Sequence, residues 1–372
     1  MPVWPADLLP PPFTAGEGPA LLDVIAPLLT VPEPGRDVVV LLDGVGADLL
    51  AEHRSLTPTL RRLEGDTARI RTVAPSTTAT AMVSLHTGLA PLAHGVLGYL
   101  GLDPATGRTV NQITGEKGLD PRAWMPAPTL AESSSRRAIQ VAPAKHERSH
   151  LTGVAYRGWE FLAHGRGDRV EAVRTALHRA GPDGLVHLHV DDVDHAGHEH
   201  GVDSEQWRAA LGEVDALLGA LLRRAPRGTR VHVTADHGMV DTSPAHTIDL
   251  AEHPALLRHV AEVTGEARAL ALHAVPGEGA ADEIAAGMRE RLGDRALVLT
   301  RAQVLAAGLL GPADAAVPAH VDGRLADVLV LARGRWGVDD YSRRKESARA
   351  MVGLHGSLTS AEAVVPLLRV TT

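Results

Sequence analysis

The stretch HVDDVDHAGHEHG, residues 189–201, holds four acidic residues and four histidines in thirteen positions. Carboxylate oxygens bring negative charge and neutral imidazoles bring a nitrogen lone pair, the two donor types that a divalent cation such as zinc recruits. A polar surface loop can have the same composition. The stretch therefore raises a metal-site hypothesis whose other ligands must come from elsewhere in the chain.

Composition limits what such a site can be made of. The chain has 372 residues, a net charge of −8 and no cysteine. Disulfides, thiolate zinc sites and a cysteine nucleophile are thereby excluded, which leaves oxygen and nitrogen ligands.

No dense Lys/Arg run occurs, so we expect no nucleic-acid polymer as a partner. With 44% hydrophobic residues, ample for a buried core, we expect a single domain over residues 1–372, with room for an inserted cap.

The first residues, MPVWPADLLPPPFTAGEG, lack a basic segment followed by an apolar one. Nowhere in the sequence is a segment apolar for the roughly 18 residues that a membrane-spanning helix requires. We therefore expect neither secretion nor contact with a membrane, and predict a cytoplasmic protein.

Apolar runs and helical patterns alternate along the chain and predict an α/β fold. Helix-type spacing of apolar residues marks residues 57–64, 78–88 and 203–225, the last beginning at Asp203 or Ser204. Residues 97–169 are less periodic and interrupted by Pro and Gly, which predicts a cap or irregular insertion there. Short runs that are apolar on both alternations, typical of buried strands of the sheet, are residues 37–44, 184–192, 230–238 and 325–334.

Three of these four predicted strands end in acidic residues. Asp43 follows the first, Asp191 to Asp194 follow the second, and Asp236 and His237 end the third. Functional groups of open α/β sheets gather beyond the carboxyl ends of the strands, so these side chains are predicted to meet at one rim. Such a concentration of negative charge is costly unless cations lie among the carboxylates. The pattern favours metal binding.

Five motifs extend the argument: LLDGVG, APSTTATAMVSLHTGLAPLAHGV, VDHAGHEHG, TADHGM and GLHGS. Their order and spacing resemble the type I phosphodiesterase/nucleotide pyrophosphatase branch of the alkaline phosphatase superfamily. The resemblance spans Asp43 to His355, nearly the whole chain. It implies a three-layer sandwich with a mostly parallel central sheet flanked by helices, two zinc ions held by Asp and His, and a Thr nucleophile between them.

The ligands implied by the resemblance form two sets of three. Asp194 and His198 are four residues apart, which places both side chains on the same side of one helical turn, as a single ion requires. Their neighbours Asp191, Asp192, His195 and His200 compete for the same roles. Transferred position by position, the ligands are Asp43, Asp236 and His237 for one zinc, and Asp194, His198 and His355 for the other.

The same resemblance implies that Thr78 is the nucleophile, with Thr77 and Ser76 as rivals. Thr78 precedes a helical pattern, and a helix N-terminus favours a phosphate anion. A free Thr hydroxyl is scarcely ionised near neutral pH, and contact with zinc would lower its pKa enough for attack on phosphorus.

The chain departs from the family directly after Thr78. Many relatives have Phe-Pro-Asn where this chain has Ala79, Thr80 and Ala81. The Asn that helps to hold a phosphate oxygen is thus replaced by Ala81, for which Thr80 or a backbone amide could substitute, and stacking on a nucleobase beside the nucleophile is lost. Aromatic residues that could offer another platform are Tyr99, Trp124, Tyr156 and Trp159.

The sequence thus predicts a two-zinc phosphodiesterase/nucleotide pyrophosphatase-like hydrolase that cleaves a phosphate ester through a Thr-phospho-enzyme. A phosphomonoesterase or a phosphonate hydrolase on the same two-metal site is one alternative, and a non-catalytic metal-bound binding domain is another. A sulfatase is disfavoured because no C/S-x-P-x-R pattern surrounds Thr78. The natural substrate, manganese in place of zinc, and the oligomeric state stay open.

Overall fold

The apolar runs of the sequence form strands in the structure, a computed structural model that describes residues 4–14, 20–63 and 67–372. In chain order the strands are β1 (Asp37–Leu42), β2 (Thr67–Arg71), β3 (Leu100–Asp103), β4 (Arg108–Asn111), β5 (Ala138–Pro143), β6 (Glu160–His164), β7 (Leu185–Val190), β8 (Arg230–Thr234), β9 (Val240–Asp241), β10 (Thr247–Asp249), β11 (Val260–Glu266), β12 (Ala269–Ala274), β13 (Ala296–Thr300), β14 (Val328–Ala332), β15 (Gly337–Asp339), β16 (Gly353–Leu354) and β17 (Val364–Thr371).

The central sheet has seven strands in the order β2-β17-β8-β1-β7-β5-β6. Strand β1 lies in its middle with all six residues buried, and pairs in parallel with β7 and β8. Strand β17 runs antiparallel to its neighbours β8 and β2. Burial of Val and Leu on both faces is typical of a parallel strand covered by helices on both sides. The predicted α/β fold with a mostly parallel central sheet is confirmed.

Helices flank this sheet and bury their apolar faces on it. The longest helix begins after Ser204, whose side chain accepts a hydrogen bond from the backbone N–H of Trp207. Its buried residues include Trp207, Leu211, Val214 and Leu218, the spacing of one helical face. In chain order the helices are α1 (Ala26–Thr30), α2 (Ala47–Glu52), α3 (Pro58–Arg62), α4 (Thr78–Thr87), α5 (Pro91–His94), α6 (Pro121–Trp124), α7 (His150–Ala155), α8 (Arg169–Ala180), α9 (Asp192–His200), α10 (Glu205–Arg224), α11 (Ala280–Leu292), α12 (Arg301–Ala306), α13 (Ala319–Asp322), α14 (Glu346–Arg349) and α15 (Ser360–Ala363).

Three predicted helices thus correspond to α3, α4 and α10, although Glu64, at the end of the pattern 57–64, lies outside the described residues. The predicted strand at 325–334 exists as β14 but does not belong to the central sheet. It lies in a second, antiparallel sheet of order β11-β12-β14-β13. The assignment of this run to the central sheet was therefore wrong. An apolar run indicates that a strand is buried, but it does not indicate which sheet the strand belongs to.

Residues 97–169 combine two kinds of structure. The hairpin β3-β4 and helices α6 and α7 lie in this segment, but so do β5 and β6, which complete one edge of the central sheet. Strand β5 pairs in parallel with β7, and β6 with β5. Pro and Gly interrupt the segment often enough to hide these two strands in the sequence. The division into one catalytic domain with an insertion stays a prediction.

None of the helices within the described residues is long and apolar enough to cross a membrane. Of the N-terminal stretch used to predict a cytoplasmic protein, residues 1–3 and 15–18 lie outside the described ranges. The cytoplasmic location stays a prediction.

A buried ionic cluster fixes the amino end of β1. Asp37, which is fully buried, accepts hydrogen bonds from Arg136 Nη2 at 2.6 Å, from Arg230 Nε at 2.8 Å and from His232 Nε2 at 2.8 Å. Burial alone would raise the pKa of Asp37, but these donors outweigh burial and lower that pKa. The cluster ties β1, β8 and the segment before β5 together at the end of the sheet opposite the acidic rim.

We expect Asp37→Asn to lower the free energy of unfolding by about 3 kcal/mol, because the buried guanidinium of Arg136 loses its counter-charge. Since the pKa of Asp37 is lowered on folding, its contribution is complete above the ordinary Asp pKa of about 3.9 and is lost as the pH falls toward the lower folded-state pKa. Urea unfolding at neutral pH and at acidic pH measures both effects. Asp314→Asn, an exposed carboxylate, should change stability little. Equal stability of Asp37→Asn and wild type at neutral pH would contradict this account.

Candidate active site

The carboxyl ends of three neighbouring strands bring the acidic residues together. Asp43 follows β1, Asp194 lies on α9 directly after β7, and Asp236 follows β8. The registers Leu42 with Val190 and Leu41 with Thr234 keep these strand ends level. Ligand atoms within 4.8 Å of one another form two groups, the first made of Asp43, Asp236 and His237 and the second of Asp194, His198 and His355.

Glycines in the motifs allow the strand ends to approach so closely. Gly44 has φ +73°, and a Cβ added there would lie 3.0 Å from Cβ of Asp194. A Cβ at Gly238 would lie 1.9 Å from the carbonyl oxygen of Ala361. A side chain at Gly44 would displace Asp194, and a side chain at Gly238, directly after Asp236 and His237 in the chain, would clash with the backbone of Ala361. Gly44 in the DG motif and Gly238 in the DHG motif thus allow the close packing of the backbone around the carboxylates.

His355 reaches the site from the other end of the sequence. It follows β16, which pairs with β9, the strand that follows His237 in the chain. An isolated bridge between Ser76 and Gly356 then attaches this loop to the segment before α4. The Ser76 hydroxyl also donates a 2.6 Å hydrogen bond to the carbonyl of Ser357, which lies 281 residues further along the chain.

All three histidines of the two groups are oriented by backbone carbonyls. Nδ1 of His237 lies 2.9 Å from the Gly238 carbonyl, Nδ1 of His198 lies 2.7 Å from the Gly353 carbonyl, and Nδ1 of His355 lies 3.0 Å from the Ser76 carbonyl. A carbonyl only accepts, so each Nδ1 carries the proton, and in the neutral ring Nε2 presents its lone pair. This arrangement is the usual one for metal-binding histidines.

The two groups share one boundary. The rings of His237 and His355, one from each group, stack with centroids 3.6 Å apart and an interplanar angle of 17°. Two cations bound by these groups would therefore be neighbours, as in enzymes that hold a phosphoryl group between two metals.

Two buried carboxylate oxygens within the groups lack a hydrogen-bond partner among the described residues, Oδ1 of Asp194 and Oδ2 of Asp236. A buried carboxylate is costly unless it is paired with a donor or bound to a cation. The donor set and these unpaired oxygens fit a divalent cation in each group.

Proton affinities at the site reflect the same excess of negative charge. Burial, reinforced by the charges of Asp236 and Asp194, raises the pKa of Asp43 to about 7. Burial lowers the pKa of His198, but the adjacent Asp194 carboxylate, with Nε2 to Oδ2 at 3.2 Å, outweighs it and raises that pKa to about 9. Without a metal, protons supply the positive charge that these carboxylates require.

Thr78 is the first residue of α4, with Thr77 as its N-cap. Its Oγ lies 3.1 Å from Nε2 of His237 and 3.5 Å from Oδ1 of Asp43, so the hydroxyl is next to the first group. Of the rivals, Ser76 is engaged elsewhere because it donates to the Ser357 carbonyl, and Thr77 is the N-cap of α4. The geometry favours Thr78 among the three hydroxyls.

The other acidic and histidine residues of the stretch 189–201 lie outside both groups. Asp192 binds Arg169 at 2.6 Å and Arg166 at 2.8 Å. His200 lies near Glu199 at 3.7 Å. Asp191 and His195 line the cleft without joining either group. The structure therefore separates Asp194 and His198 from their neighbours, which the sequence left open.

A cleft of about 210 Å³ opens over Thr78 and both groups. Two of the four aromatic residues considered as a platform, Tyr99 and Tyr156, line it, whereas Trp124 is buried elsewhere. Thr80 is fully buried and is not part of the cleft lining. Backbone amides at the start of α4 are therefore better placed than the Thr80 hydroxyl to contact a phosphate oxygen.

His189, the first residue of the stretch, has a role that the sequence analysis missed. Its Nε2 lies 2.8 Å from Oδ2 of Asp43, while Oδ1 of Asp43 faces Thr78 and His237. Burial lowers the pKa of His189, but the hydrogen bond and charge of Asp43 outweigh it and raise that pKa to about 9. His189 thus holds Asp43 with one oxygen directed into the site. The alternation of β7, which directs His187 and His189 to the same face, was the available signal.

Residues 38–358 match the family model of the type I phosphodiesterase/nucleotide pyrophosphatase family. An uncharacterized pyrophosphatase/phosphodiesterase of Schizosaccharomyces pombe is 28% identical over 221 residues, which is 55% of this chain and 45% of that protein. The match thus spans less than half of the length of this curated relative.

Several solved structures share the fold. Murine ectonucleotide pyrophosphatase/phosphodiesterase 5, an inactive variant in complex with AMP, has a TM-score of 0.68 and 19% identity, over 90% of this chain and 87% of that one. Phosphonoacetate hydrolase from Sinorhizobium meliloti, in complex with phosphonoacetate, has a TM-score of 0.66 and 18% identity over 90% of each chain. At these identities the likeness concerns the fold, and it confirms the predicted alkaline phosphatase-like architecture.

We expect His189→Ala to weaken zinc binding by about 10- to 100-fold, because Asp43 loses the donor that orients it. His189→Gln, which keeps an N–H donor, should lose less. Competition with a chromogenic chelator measures the zinc dissociation constant. His178→Ala, an exposed histidine on α8, is the control and should bind zinc as the wild type does. Unchanged zinc affinity in His189→Ala would show that Asp43 does not need this contact.

Proposed function

Because the chain belongs to the type I phosphodiesterase/nucleotide pyrophosphatase family, we propose that it is a two-metal phosphoric ester hydrolase. The observation that carries the proposal is the pair of Asp/His groups beside Thr78, in which every histidine has its Nδ1 on a backbone carbonyl. A polar loop without a bound metal would not require all three histidines to direct Nε2 into the site.

In this proposal each group holds one divalent cation, zinc by its donor set, with manganese as the alternative. Asp43, Asp236 and His237 hold the ion beside Thr78, and the second group holds the other. When bound, the two ions supply Lewis-acid polarisation of a phosphoryl oxygen and lower the pKa of a nearby hydroxyl or water.

The residues of the chain then bind and attack the phosphate. Thr78 Oγ loses its proton to solvent and forms a bond to phosphorus, while the bond to the alcohol or phosphate leaving group breaks on the opposite side and that group takes up a proton from solvent. Water later hydrolyses the bond between Thr78 and phosphorus, which restores the hydroxyl and releases a phosphate monoester from a diester or inorganic phosphate from a monoester. Backbone N–H groups at the start of α4 donate to the non-bridging oxygens, because Ala81 offers no side-chain donor in place of the family Asn.

The relatives support this assignment. The inactive form of the murine neighbour carries a threonine-to-alanine substitution and holds AMP, which is consistent with a Thr nucleophile and with a phosphate ester in the cleft. We propose a small-molecule phosphate ester as the substrate. Hydrolysis of a phosphonate is the second candidate, since the phosphonoacetate hydrolase covers this chain equally well.

We expect about two zinc ions per chain, hydrolysis of bis-p-nitrophenyl phosphate, and slower hydrolysis of p-nitrophenyl phosphate. Thr78→Ala should keep both ions and lose activity by a factor on the order of 10³ or more, as other enzymes do on loss of their nucleophile. Elemental analysis and release of p-nitrophenol measure the two quantities.

Two controls accompany Thr78→Ala. Thr78→Ser keeps a hydroxyl and should retain part of the activity, and Thr175→Ala, an exposed threonine on α8, should behave as the wild type. Faster hydrolysis of the monoester would favour a phosphomonoesterase. Fewer than one metal per chain, or full activity of Thr78→Ala, would refute the two-metal or the nucleophile assignment, and bound metal without any turnover would favour the binding domain.

A further inference from the structure

The wall of the cleft formed after β5 carries a lysine that the mechanism above does not use. Lys145 is one of only three lysines in the chain and lies in the 3-10 segment Ala144–His146, directly after β5. Its side chain lines the same cleft as Thr78 and Asp43. Across residues 4–14, 20–63 and 67–372, no carboxylate forms an ion pair with this exposed lysine, so its charge is available to a ligand in the cleft.

The strand order fixes how far Lys145 lies from the reacting atoms. Strand β5 is two positions from β1 in the sheet, with β7 between them. Neighbouring strands are about 4.8 Å apart, so the end of β5 lies roughly 10 Å across the sheet from the end of β1. The flexible four-carbon stem of Lys145 spans part of this distance. Its ammonium can therefore reach a group joined to the scissile phosphate by a short linker.

Polar groups beside Lys145 suit an anion. His146, Ser149 and Thr152 line the same wall. Burial and the charge of Lys145 lower the pKa of His146, which agrees with their proximity. Asp191 also lines the cleft and forms no ion pair with Lys145. Burial alone would raise the pKa of Asp191, but the nearby charges of His189, His195 and Lys145 lower that pKa. An incoming anion would meet the ammonium of Lys145 and several hydrogen-bond donors.

The first turn of α4 offers no aromatic ring that could anchor a substrate. Ala79 replaces the aromatic ring that many relatives place beside the nucleophile, so stacking there contributes nothing to binding. We propose that Lys145 determines specificity by binding a second anionic group of the substrate, a carboxylate or a phosphate, linked through one or two atoms to the phosphorus that Thr78 attacks. This inference rests on the proposed function, since it assumes that the phosphoryl group lies at Thr78.

The test measures binding rather than turnover, which keeps it separate from the test of the proposed function. In the zinc-loaded Thr78→Ala protein, calorimetry compares phosphonoacetate with phosphonoacetamide, which lacks only the carboxylate charge. It also compares methylenediphosphonate with methylphosphonate, which lacks the second phosphonate. We expect each ligand with two anionic groups to bind about 10- to 100-fold tighter than the counterpart that carries only the phosphonate, as charge-assisted hydrogen bonds do.

Adding Lys145→Ala should reduce both ratios to near one, whereas Lys145→Arg should retain most of the preference. Lys117→Ala, an exposed lysine that does not line the cleft, is the matched control and should leave the ratios unchanged. The ligand pair with the larger ratio identifies the second anion as a carboxylate or a phosphate. Equal binding of the ligands with one and with two anionic groups, or a preference that survives Lys145→Ala, would overturn the inference even if the protein hydrolyses phosphate diesters.

Discussion

Three carboxylates buried within one small volume impose the main constraint on this structure. Asp43, Asp194 and Asp236 come from three strand ends and lie beneath the surface of the cleft. Their mutual repulsion and loss of hydration oppose folding unless positive charge lies among them. The order of the strands, the glycines at the turns and the histidines around the carboxylates all serve to hold this arrangement.

Contacts from distant segments of the chain orient two histidines of the second group, His198 and His355. His355 depends on a loop that the C-terminal half of the protein holds in place. Arg268, next to the second sheet, binds Glu362 at 2.6 Å, and Glu362 in turn accepts the backbone N–H of Ser357 at 3.0 Å. Arg268 and Glu362 are both fully buried. The second sheet thereby positions a residue of the site without contributing a side chain to either group.

The sequence predicted the parts of the fold that local patterns determine. Strand β1 is apolar on both faces and ends in Asp43, and a helix begins at Thr78, so the rim and its acidic residues could be inferred from short windows. The membership of β14 in a second sheet, and of β5 and β6 in the central one, depends on which strands pair. Pairing over long sequence separations leaves no mark in a short apolar run.

The site divides in the same way. The six proposed ligands follow strands or lie at helical spacing, and the resemblance singled them out before their positions were known. The resemblance singled out neither His189 nor Lys145. The alternation along β7 places His187 and His189 on the same face, but the contact of His189 with Asp43 exists only because β7 lies beside β1, and the position of Lys145 in the cleft depends on β5 lying beside β7.

This difference has a physical origin that bears on substrate choice. Residues at the ends of β1, β7 and β8 are held by the pairing of the central strands, so a change there disturbs both the charge balance and the sheet. The segment after β5 lies nearer the edge of the sheet and is followed by exposed residues, where side chains can change at little cost in stability. The proposed metal ligands therefore follow the central strands, whereas Lys145, which we propose determines specificity, follows a strand next to the edge of the sheet. The motifs after the central strands identify the family, whereas residues near the edge, such as Lys145, can be assigned only from the structure.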